Sequence, residues 1–192
     1  MIKTSELNFI SPILEFLTSV GINFFGNDPV SAGFGLFNAG GIIFMIIGIA
    51  LSKPLADKYG KRNVFGWFLF ISTLFIIVFY FFKPTAIAFI FGAQILHGFF
   101  YGITIPLLWA MIADVADFSE WKNNRRATAI VFSAMMVGLK LGLTIGSSLV
   151  TQILSSYGYV ANSELGQSSE AILGTKLLVS VYPAIPFLLG VA

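Results

Sequence analysis

Apolar positions along this chain come in long unbroken blocks, without alternation and without a one-sided stripe. Four blocks are clear, at residues 33–52, 64–82, 86–113 and 127–156, and a fifth begins near residue 173 and runs to 192. Each approaches the ~20 residues a helix needs to cross ~30 Å of hydrocarbon. Barrel strands would be about half that length and would alternate apolar with polar side chains, which these blocks do not. A further segment, 8–25, is apolar but holds Pro12 and Glu15, and Gly26-Asn27-Asp28-Pro29 reads as a turn after it. It is taken as a weak or partial first helix. The expected fold class is an all-α membrane protein.

Composition sharpens this. With 57% hydrophobic and 10% charged residues, the chain lacks the polar groups to cover a soluble surface, so its main partner is the lipid bilayer. The absence of cysteine excludes disulfide frameworks, thiolate metal sites and cysteine nucleophiles. Residues 1–11 carry one lysine and no long apolar core, so no cleavable signal peptide is expected and the spans themselves drive insertion. Because the last block runs off at residue 192, the chain reads as cut from something longer.

The net charge of +2 says little, but its distribution fixes an orientation. Lys53, Lys58, Lys61 and Arg62 share one short connection, and Lys122, Arg125 and Arg126 share another two spans later, whereas the alternate connections hold only Lys83 and Lys176. By the positive-inside tendency, the basic loops 53–63 and 114–126 are cytoplasmic. The longer 157–171 connection, with Glu164 and Glu170, then falls outside.

Few residues in the blocks are chemically able. Lys140 lies near the middle of block 127–156, where an unpaired ammonium costs at least ~2.5–3.5 kcal/mol, so it must face protein or water. A structural ion pair or snorkelling is the plain alternative to a coupling role, and nearly two apolar turns on either side work against it. At 100° per residue, Ser133, Lys140, Thr144, Ser147 and Thr151 share one sector, with Gly138, Gly142 and Gly146 opposite. One face is expected to be wet and the other close-packed, and helix contact alone explains the glycines. In block 86–113, Gln94, His97, Tyr101 and Thr104 recur at helical spacing and suit a polyhydroxy ligand. His97 is the single histidine and assembles no metal site; an interhelical hydrogen bond explains it as well as substrate contact does. Pro106 should bend the same helix, with Gly98 and Gly102 lending freedom. Asp114, Asp117 and Glu120 face Lys122, Arg125 and Arg126 across the second basic loop, forming either a gate or a solvated loop. No nucleophile with its base, no phosphate loop and no nucleic-acid patch is present, so catalysis has no visible machinery.

Two stretches carry a family resemblance. Lys53-Pro54-Leu55-Ala56-Asp57-Lys58-Tyr59-Gly60-Lys61-Arg62 resembles the loop motif of the major facilitator superfamily on Asp57, Lys58, Gly60, Lys61 and Arg62, with Lys53 where a glycine usually leads. Ala113-Asp114-Val115-Ala116-Asp117-Phe118-Ser119-Glu120-Trp121-Lys122, followed by Arg125-Arg126 and Lys140, resembles the glycoside-pentoside-hexuronide:cation symporters, over most of the chain from about Phe24. The resemblance implies the C-terminal six-helix bundle of a twelve-helix facilitator fold, truncated at both ends. The N-terminal six-helix half would be its partner and would hold the main ligands of a coupling Na+ or H+; no other cofactor is implied. It further implies that Lys140 lies near the cation and sugar sites, that Asp114, Glu120 and Arg126 belong to a cytoplasmic ionic lock, and that the membrane is the bacterial inner one. Melibiose-type members carry an aromatic where Ile105 stands, and Trp109 is one turn further on. A facilitator carrying another cargo, such as a lysolipid or drug, and a non-transporting scaffold or assembly subunit both remain open on the residues alone.

Overall fold

A computed structural model describes residues 29–82, 86–124, 127–160 and 167–191; the 8–25 segment lies outside them. They form five helices: α1 Pro29–Tyr59, α2 Lys61–Val78 with a 3-10 turn at Phe79–Phe81, α3 Ile87–Asn123, α4 Thr128–Ser156 and α5 Ser169–Val191, with no strand among the described residues. All five are long and apolar enough to cross a membrane.

The helices run past the apolar blocks, which corrects the reading of 53–63 and 114–126 as loops. α1 continues through Lys53, Pro54, Asp57 and Lys58 to Tyr59, and α2 starts two residues later. Only Gly60, at φ 84°, separates them. That positive φ is one that glycine adopts freely and a residue with a Cβ rarely does. α3 holds 37 residues, about 55 Å at 1.5 Å per residue, so its last turns carry Asp114, Asp117 and Glu120 beyond the hydrocarbon as helix. Charges stop a hydropathy block but not a backbone ladder, and the helix ends only at Asn124, whose φ of 51° is left-handed.

The seam between α1 and α3 is built on glycine. A Cβ on Gly98 would run into the Gly41 carbonyl, one on Gly102 into the Met45 carbonyl, and one on Gly48 into the Phe99 carbonyl. The backbones therefore meet directly, as small residues allow in membranes. Gly98 and Gly102, expected to loosen α3, are thus packing residues, and Pro106 lies within α3 without ending it. α2 meets α3 through aromatic rings instead: Phe75 stacks on Phe100 at 5.6 Å and 12°, beside Phe68. Ala56, Val64, Ile103 and Leu107 form the small apolar core under this junction, and α5 packs on α2.

α4 stands apart, with no buried residue. It touches α3 and α5, and just past its end Tyr157 lies against Gly174 of α5; a Cβ there would come 2.5 Å from the ring. The expected close-packed ridge does not exist among the described residues, since a Cβ on Gly138, Gly142 or Gly146 meets nothing within 4 Å. The helix period places these glycines on one line, but only a neighbouring helix can make them a seam.

Candidate functional site

Three groupings of chemically able side chains emerge. The first joins both loop-like motifs at one end of the bundle. The Lys61 ammonium reaches Asp114 Oδ2 at 2.7 Å and Oδ1 at 2.8 Å, tying the start of α2 to the extended end of α3. Both side chains are about half exposed, so the pair contributes under ~1 kcal/mol to stability. Its information is geometric: the basic α1–α2 junction and the charged end of α3 share one face of the bundle. Asp57, Lys58, Arg62, Asp117 and Glu120 are all exposed at this end. Lys58 also sits over the Tyr59 ring at 5.1 Å. Arg125 and Arg126 lie outside the described residues.

The second grouping is on the mid-span part of α3. His97 Nδ1 lies 2.8 Å from the Ser72 hydroxyl and 3.2 Å from the Ser72 carbonyl of α2. A carbonyl can only accept, so the second contact puts the proton on Nδ1 and leaves Nε2 as the acceptor. The imidazole stacks on Tyr101 at 5.7 Å, and Tyr101 stacks on Phe187 of α5 at 5.8 Å. Tyr101 thus packs its ring between His97 and Phe187. Gln94 turns the other way: its amide nitrogen would lie 2.8 Å from a Cβ on Gly41 of α1. Thr104 is buried, and its hydroxyl donates to the Tyr101 carbonyl at 2.7 Å. The four residues that share a sector in sequence are therefore divided among three neighbouring helices and their own backbone. Ile105 is half-buried and Trp109 exposed on the same helix. Ser72 and Phe187, which position His97 and Tyr101, had no signal of their own in sequence, since each sits far along the chain from its partner.

The third grouping is the polar sector of α4. Thr144 donates to the Lys140 carbonyl, Ser147 to the Thr144 carbonyl and Thr151 to the Ser147 carbonyl, each at 3.0 Å. These hydroxyls satisfy themselves on the helix. The Lys140 ammonium makes no hydrogen bond or ion pair among the described residues, and with Ser133 it is exposed. A membrane-length helix with an uncompensated lysine along a hydroxyl stripe must present that stripe to more protein or to water.

A bundle of five helices, each long and apolar enough to cross a membrane, defines an integral membrane protein. The family model described as MFS/sugar transport protein matches residues 14–192, and the chain belongs to that family, whose members here are transporters and not enzymes. It is 36% identical over 76% of its length to the inner membrane symporter YicJ of Escherichia coli strain K12 and 32% identical, again over 76%, to the putative glycoside/cation symporter YagG of the same strain. It is 26% identical over 78% of its length to a putative sulfoquinovose importer of Salmonella typhimurium strain LT2. The matched region is 31%, 31% and 30% of those proteins, so the chain spans about a third of the length of the curated relatives it matches. No solved structure matches it significantly.

Proposed function

We propose that this chain is one wall of a secondary active transporter that carries a sugar or glycoside together with Na+ or H+ by alternating access. The observation that carries the reading is Lys140: an exposed ammonium midway along α4, the one helix among the described residues with nothing buried. Such a group is tolerated in a bilayer where it faces other protein or a water-filled cavity, and a second bundle with its own carboxylates would supply both. The N-terminal six-helix half is that bundle in this reading, and the cation and the sugar lie between the two. Lys61, Asp114, Asp117, Glu120, Arg125 and Arg126 form the gate at the basic end, which the charge distribution places in the cytoplasm. Gln94, His97, Tyr101, Thr104, Ser133 and Thr144 are the candidates for lining the cavity. Relatives named as glycoside/cation symporter and sulfoquinovose importer support a sugar cargo.

The test is uptake of radiolabelled glycosides by cells expressing the full-length protein, with and without a sodium or proton gradient. Lys140→Val should abolish accumulation while leaving the amount of membrane-inserted protein unchanged. Normal accumulation in that variant sinks the coupling role. Competition by lysolipids or drugs but not by free sugars assigns the cargo elsewhere, and no uptake of any solute leaves a scaffold.

A further inference from the structure

A groove at the basic end, between α2, the charged end of α3 and the end of α5, is not used by the transport reading. Its volume is about 690 Å³, and its lining changes character along α2, from Arg62 and Asn63 in the first turn to Gly66, Trp67 and Phe70 with Met111 of α3. Arg62 and Phe70 are eight residues apart, about 12 Å of helix rise, which fits within the depth of one leaflet of a ~30 Å hydrocarbon core. Gly66 leaves the wall of the groove vacant, since a Cβ there would meet nothing within 4 Å. Trp67 stands at its side, 67% exposed, with Phe70 edge-on at 6.5 Å.

The charges at its mouth are unequal. Asp114 neutralises Lys61, whereas the adjacent Arg62 makes no ion pair among the described residues. A guanidinium with no ion pair among the described residues, at the polar end of an apolar slot and five residues, about 7.5 Å of helix rise, from an exposed tryptophan, is complementary to a molecule with a phosphate at one end and hydrocarbon at the other. Guanidinium groups bind phosphate oxygens through two parallel hydrogen bonds, tryptophan settles at the headgroup level, and basic pockets between spans on the cytoplasmic side select anionic lipid headgroups. We infer that this groove holds an anionic phospholipid, its phosphate on Arg62 and an acyl chain along Gly66 and Phe70. The inference needs a membrane-embedded bundle but not the proposed cargo, and it uses the proposed orientation only to name the leaflet as cytoplasmic.

The test takes the full-length protein with Trp67 as its sole tryptophan, reconstituted in symmetric bilayers, and measures fluorescence quenching by brominated phosphatidylglycerol against brominated phosphatidylcholine. Phosphatidylglycerol should occupy the site about fivefold more strongly, the preference one basic residue near the surface confers. Arg62→Gln should erase the preference, and Gly66→Leu, which fills the slot without touching charge, should erase it too. Equal quenching by both lipids means an ordinary annular position and overturns the proposal. Absence of quenching by either means that protein covers the groove, and a preference that survives both substitutions places the lipid elsewhere; each overturns it as well.

Discussion

At the residue scale, His97 shows how a polar side chain is made tolerable inside a span. Its Nδ1 is held by Ser72 and its ring by Tyr101, so the imidazole is fixed in tautomer and in tilt. Interhelical hydrogen bonds of this kind average ~0.6 kcal/mol and reach ~1.7 kcal/mol. Ser72→Ala should therefore lower the thermal stability of the purified protein by an amount in that range, read as a modest fall in Tm. A change beyond it would mean that Ser72 supports more than the histidine. Lys140 is the opposite case, an ion that nothing in the described chain satisfies, and the loss of accumulation expected from Lys140→Val is the signature of a group that acts rather than packs. His97 and Lys140 both stood out in the sequence because each is a rare residue type in an apolar block. Their settings were less legible: Ser72 is one of many serines, and a contact across 25 positions of chain leaves no local pattern.

At the element scale, what holds the helices together is carbonyl against glycine on one side of α3 and ring against ring on the other. The two sides should respond differently to substitution. Gly98→Val would drive a branched side chain into the Gly41 backbone, which has no rotamer to yield, so the cost should exceed the ~1–3 kcal/mol of ordinary overpacking. The check is the yield of monodisperse protein after detergent extraction, which should collapse for Gly98→Val and stay near wild type for Gly142→Val. An equal loss in both would show that α4 has a glycine seam of its own with the rest of the transporter. Hydropathy located every described helix, because crossing hydrocarbon requires a minimum apolar length. It misplaced the ends of α1 and α3, because a charged helix beyond the membrane reads as a loop. It gave no sign of the seam seen among the described residues: Gly138, Gly142 and Gly146 keep a strict period of four, whereas this seam is assembled from Gly41 and Gly48 on one helix and Gly98 and Gly102 on another.

At the scale of the whole molecule, the Lys61–Asp114 contact gathers the basic segments at one end, while Phe82, Ile90, Tyr159, Gln167 and Ile172 gather at the other around a groove of about 500 Å³. This gives the two ends distinct addresses. The described chain has no cysteine to confuse the readout, so Lys58→Cys and Gln167→Cys, each in a cysteine-free full-length background, make an orientation test. An impermeant maleimide added to intact cells should label Gln167→Cys, and Lys58→Cys only after the membrane is opened. The reverse pattern would invert the topology and move the anionic-lipid groove to the outer leaflet. The direct meeting of α1 and α3 has a mechanical corollary. A joint that flexes needs side chains able to repack between its faces, and here the backbones touch with no such cushion. The two helices therefore behave as a single splinted beam, and whatever rocking the protein performs has to be taken up at contacts other than this one.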